Sequence, residues 1–125
     1  MRIDPLETRQ AVLAVKDWID GEGDVEKPGR AVLAAATRLS VRLLAQDAPG
    51  NSVEVRVPPF VAVQCIDGPK HTRGTPPNVV EMDTLTWLRL ATGKTTFDAE
   101  FENGKISASG TRAKEIADWL PVVKL

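Results

Sequence analysis

The side chains best suited to chemistry cluster in one polar stretch, D-G-P-K-H-T-R-G-T-P-P-N, at residues 67–78. Lys70, His71 and Arg73 stand close together there, and no acidic residue occurs between Asp67 and Glu81. With the hydroxyls of Thr72 and Thr75 they offer donors to a carboxylate or phosphate. A solvated turn stiffened by Pro76 and Pro77 has the same composition, so both readings stand. Cys65, the single cysteine, lies in the apolar run F-V-A-V-Q-C-I with no histidine beside it. A thiol in such a run is inert packing rather than a nucleophile. Gln64 is the polar exception in that run; facing inward, it needs a protein partner or a ligand. Arg30, Arg38 and Arg42 give one helix a basic side that suits an anionic head group, a protein partner or plain solvent. One histidine, His71, does not make a three-ligand metal site of the usual kind. No phosphate loop or acid–base constellation is written into the chain. The residues therefore predict a non-enzymatic protein without metal or cofactor.

Composition narrows the class further. A chain of 125 residues with 42% hydrophobic content predicts one domain, residues 1–125, with a real core. Sixteen basic and seventeen acidic side chains balance, which argues against a general nucleic-acid binder. The first residues, M-R-I-D-P-L-E-T, carry no apolar signal core, and no run approaches a membrane span. A lone cysteine suits a reducing compartment. The chain reads as soluble and cytoplasmic, with no integral membrane segment.

The elements that must position those residues fall into two parts. Residues 1–47 are helical. Asp4, Pro5 and Glu7 form a cap, a first-turn proline and an acidic residue placed to start a helix. Ala11, Val12, Val15, Trp18 and Ile19 then share one face, and Leu6 and Leu13 form a second strip. A charged, glycine-bearing linker at residues 21–29 leads to a second helix at 30–46. Its predicted core face is Val32, Ala35, Ala36, Leu39 and Leu43. From residue 52 the period changes to two. Val53, Val55 and Val57 alternate with Glu54 and Arg56, as in a half-buried strand. Residues 60–66 read as a strand covered on both faces, and a short strand follows at 78–82. Asp83 and Thr96 stand at helix-cap positions; a strand with Ile106 and Ala108 inward and a helix ended by Pro121 follow. Val122, Val123 and Leu125 tuck the tail onto the core. The fold class is α+β, a single mixed sheet with helices packed on it and two helices ahead of it.

The block of Asp83, Leu88, Gly93, Ala99, Gly104, Lys105, Ile106 and Gly110 resembles the C-terminal half of the sterol carrier protein 2 fold. W-L-R-L-A-T-G (87–93) and A-S-G-T-R-A (108–113) are closer to the actinobacterial branch of that superfamily. V-R-V-P-P-F-V-A-V-Q-C (55–65) and H-T-R-G-T-P-P-N-V-V-E (71–81) resemble the bacterial sterol-carrier-like family. The tail is also similar to the C-terminal domain of mycothiol-dependent maleylpyruvate isomerases, whose metal site lies in a separate helical domain. The carrier resemblance implies an apolar tunnel between sheet and helices for a fatty acid, acyl-CoA or similar hydrophobic small molecule. Phe60, Val63, Gln64, Trp87, Leu90, Phe97 and Phe101 would line it, Trp119 would contribute to its lid, and Arg73 would hold an anionic head at its mouth. The same apolar pattern also fits a closed core, in which case the chain is a protein-interaction or accessory module, alone or as a homodimer.

Overall fold

The computed structural model describes residues 2–21, 24–68 and 78–125. The stretch with Lys70, His71 and Arg73 lies outside the described residues, so the predictions made on it have no structural counterpart. No helix among the described residues is long and apolar enough to cross a membrane.

The N-terminal part forms α1 (Pro5–Leu13), α2 (Lys16–Asp20) and α3 (Arg30–Asp47). Asp4 caps α1 through its carboxylate, which accepts the Leu6 N–H at 2.9 Å, and Pro5 opens the first turn where no N–H is needed. The expected continuous first helix is broken at Ala14 and Val15, yet Val12, Val15 and Ile19 all reach the core. The amide of Gln46 clamps Ile3 at both its N–H (2.6 Å) and its carbonyl (2.9 Å), and Arg9 donates to the Lys124 carbonyl at 2.9 Å. These bonds hold α1 against α3 and the chain's end.

The buried face of α3 is rotated from the expected one. Leu33, Ala36, Thr37, Ser40, Val41, Leu43 and Leu44 are buried, whereas Val32 is 44% exposed and Ala35 is exposed. Two hydroxyls explain the difference. Thr37 donates to the Leu33 carbonyl and Ser40 to the Ala36 carbonyl, each at 2.7 Å. Once satisfied by the preceding turn, a hydroxyl packs as a small core residue. A face chosen by counting apolar residues passes over both.

The strands β1 (Val53–Val57), β2 (Val61–Cys65), β3 (Asn78–Met82) and β4 (Ile106–Ser109) form one sheet in the order β2-β1-β3-β4. β1 runs antiparallel to β2 and parallel to β3, and β3 is antiparallel to β4. Val55 pairs with both Val63 and Val80, and Val80 pairs with Ala108, so these four share the face toward the helices. The outer face carries the exposed side chains of Arg56, Gln64, Glu81 and Ser107. β2 was expected to be covered on both sides; instead it is an edge strand whose Ala62 and Gln64 face water.

A tight corner joins α3 to the sheet. Ile66 has a positive φ of 67°, unusual for a β-branched residue. Its N–H donates to the Ala48 carbonyl at 2.7 Å, and its carbonyl accepts from the Ser52 N–H at 3.1 Å and the Ser52 hydroxyl at 2.5 Å. Gly50 (φ 146°) passes so close that a Cβ there would lie 2.2 Å from the Ile66 oxygen.

The remaining elements are α4 (Thr84–Ala91), α5 (Phe97–Glu102) and a closing 3₁₀ helix (Ala113–Trp119), where an ordinary helix was expected. The expected caps are present: Asp83 accepts the Thr86 N–H at 2.8 Å and Thr96 the Ala99 N–H at 3.2 Å. The tail returns to α4, with the N–H groups of Val122 and Val123 both on the Ala91 carbonyl. Val123 is buried and Leu125 is exposed.

Candidate functional site

The space between sheet and helices is packed. Val53, Val55, Val57, Val80, Trp87 and Leu88 all have 0% exposure and belong to one continuous core. Trp87 is fixed by its indole N–H, which donates to the Ser40 hydroxyl at 2.8 Å. Clefts of about 430, 280, 500 and 440 Å³ open on the described surface, and none has an inner-face strand residue in its wall.

The expected ligand residues consequently separate. Trp87 and Val63 belong to the core side of the sheet, Trp87 fully buried and Val63 half-buried. Gln64 is on the opposite face, away from the others, because one residue along a strand reverses the side chain's direction. Leu90 and Phe97 come together in the cleft of about 280 Å³, with Gly93, Ala117 and Leu120. Phe101 stacks on Phe97 with ring centroids 6.1 Å apart, and the Lys114 ammonium lies 5.2 Å from the Phe101 centroid. Trp119 is 42% exposed. Arg73 lies outside the described residues.

Phe60 is at a different place, in the turn between β1 and β2. Arg38 donates from Nε to the Phe60 carbonyl at 3.1 Å. The guanidinium groups of Arg30 and Arg38 lie 5.3 and 5.9 Å from the ring centroid, within cation–π range. The basic side of α3 is thus turned onto an aromatic ring. Beside it runs the cleft of about 430 Å³, walled by Trp18, Leu33, Pro58, Pro59, Phe60 and Leu85, with Lys27 and Arg30 as its cations. Asp83 also lines it, its carboxylate oxygen already accepting the Thr86 N–H. Among the described residues the ion pairs are Lys16–Asp20, Arg56–Glu54, Lys94–Asp20 and Arg112–Glu115, so Lys27 and Arg30 take part in none. With two cations and one carboxylate the trough carries a net charge of +1, a sign that suits an amphipathic anion.

Sequence reading found Phe60 and Arg30 but not their neighbours in this cleft. Periodicity puts Trp18 on an apolar helix face and says nothing of Leu85, because no periodic pattern shows that α2 and the start of α4 meet the β1–β2 turn. The half-burial of Trp18 is the structural signal.

Nucleophilic chemistry has little support here. Burial pushes the Cys65 thiol up to about 11, far from a reactive thiolate. Among the described residues no three His, Cys, Asp or Glu side chains gather in a group able to hold a metal.

Comparison with known proteins agrees with the fold. A family model described as "Bacterial SCP ortholog" matches residues 29–122. No curated protein matches the chain. The match covers most of the sequence, and the chain belongs to this bacterial sterol-carrier-protein-like family.

Proposed function

We propose that this sterol-carrier-like protein binds an amphipathic anion without transforming it, and that the ligand lies in the Trp18–Phe60 cleft rather than between sheet and helices. The observation that carries this reading is an apolar trough of about 430 Å³ edged by Lys27 and Arg30. Its size exceeds the roughly 300 Å³ at which small-molecule sites begin. The family membership, compatible with lipid binding or transfer, supports the same reading. A medium-chain fatty acid is the simplest molecule of this shape, and the cytoplasm, where free acids and acyl thioesters are available, is the corresponding location.

The expected affinity follows from area. Octanoate has seven carbons beyond its carboxyl, each contributing about 0.8 kcal/mol when fully removed from water. An open cleft covers about half of each, giving about 3 kcal/mol, and one charge-assisted contact adds about 1 kcal/mol. Before the cost of association the sum corresponds to about 1 mM, so the Kd is about 1 mM or weaker, and about fivefold weaker still for octanol. Amide chemical-shift titration tests this. Saturable shifts at Phe60, Leu85 and Arg30 with octanoate, weaker with octanol, are the expected result; absence of saturable shifts, or equal affinity for both, contradicts it.

The packed core favours a second reading, an interaction or accessory module that takes no small ligand. It predicts no saturable shifts with either compound and a stable complex or homodimer in solution.

A further inference from the structure

We infer that residues ahead of the family-matched region, Trp18 of α2 together with Lys27 and Pro28, supply the specificity-determining wall of the Trp18–Phe60 cleft. This rests on the proposed reading of that cleft as the ligand site. The family match begins at residue 29. The cleft divides at the same point: Arg30, Leu33, Pro58, Pro59, Phe60 and Leu85 come from within the match, and Trp18, Lys27 and Pro28 from before it. The matched region also contributes Asp83 and Thr84, so its single cation, Arg30, shares the cleft lining with a carboxylate. The N-terminal segment adds the second wall, an indole, and the second cation.

That wall is built firmly. Val15 and Ile19, on either side of Trp18, are each 1% exposed and pin α2 to the core. Arg89 of α4 donates from Nε to the Ile19 carbonyl at 3.0 Å and from Nη2 to the Gly21 carbonyl at 2.6 Å. The end of α2 is therefore tied to the helix whose first turn lines the cleft's opposite side. Arg89, the third residue of W-L-R-L-A-T-G, thereby positions α2, and with it Trp18. The segment is docked by Val12, Val15 and Ile19 in the core and by the bonds to Gln46 and Arg89, while Trp18, half-buried, packs on that core and lines the cleft. Trp18 consequently sets which apolar chain fits, and Lys27 which head group.

The test compares the wild-type chain with Trp18→Ala, Trp18→Phe and Lys27→Gln, titrating octanoate and octanol and following the amides of Phe60 and Leu85. Trp18→Ala is expected to weaken both ligands roughly tenfold, as loss of a central indole does in binding sites, while Trp18→Phe retains most of the affinity. Lys27→Gln, at an exposed position that does not threaten folding, is expected to weaken octanoate several-fold and leave octanol unchanged. If the wild type binds at Phe60 and Leu85 but all three variants bind equally well, the inference is overturned while the cleft reading survives. If the wild type shows no saturable shifts there, both fall together.

Discussion

Replacing Ser40 by Ala removes one oxygen from the centre of the molecule, and its cost can be worked out from the contacts. Ser40 and Trp87 are both fully buried, and the Ser40 hydroxyl is the acceptor for the indole N–H at 2.8 Å. The Ala36 carbonyl that the hydroxyl bonds is on the preceding turn of α3, where the helix ladder already serves it. The loss is thus concentrated on one unsatisfied donor in a dry core, about 2 kcal/mol. For a chain of this length that lowers Tm by about 8 °C. Urea unfolding followed by tryptophan fluorescence and circular dichroism gives the free energy directly. The same substitution in a Trp87→Phe background, where no donor remains, should cost less than about 0.5 kcal/mol. A shift of similar size in both backgrounds would refute the reasoning, since the cost would then belong to the cavity and not to the orphaned N–H.

Two further predictions follow from the corner and the buried thiol. Gly50→Ala places a Cβ against the backbone oxygen of Ile66 at a φ that L-residues avoid; chemical denaturation should show a loss of about 3 kcal/mol, more than any alanine substitution in an exposed loop. Cys65 has a folded pKa of about 11, raised by burial above the value near 9 of the unfolded chain. Its contribution is fully present below about pH 9 and is lost as pH rises toward 11, because only the unfolded state releases the proton in that window. Stability measured from pH 8 to pH 11 should fall more steeply in the wild type than in Cys65→Val, and a thiol reagent at pH 8 should modify Cys65 only on unfolding.

The sequence was most legible where one local rule decides the outcome. Alternation placed Val53, Val55 and Val57 on the buried face, and Asp4, Asp83 and Thr96 cap their helices as their types demand. It failed where a partner distant in the chain changes a residue's character. An apolar count passes over Thr37 and Ser40, whose hydroxyls bond to the preceding turn and, for Ser40, to Trp87. Residues 60–66 looked doubly covered because an apolar run does not reveal that its strand lies at a sheet edge. The candidate site divided in the same way: Phe60 lines a surface cleft, Gln64 faces water on the outer side of the sheet, and Trp87 is buried in the core. Trp18 reaches the cleft from α2, whose end Arg89 ties to α4, a contact no spacing in the sequence encodes.

The most direct measurement of the central claim is paramagnetic broadening of backbone amides by a fatty acid carrying a nitroxide on its chain. Binding in the surface cleft predicts signal loss strongest at Trp18, Leu33, Phe60 and Leu85, weaker toward Val55 and Val80, and reversed by unlabelled octanoate. Signal loss centred on Val55, Val80 and Leu88 would mean that the core opens to admit the chain, and uniform weak broadening would mean that no site exists; either result contradicts the account.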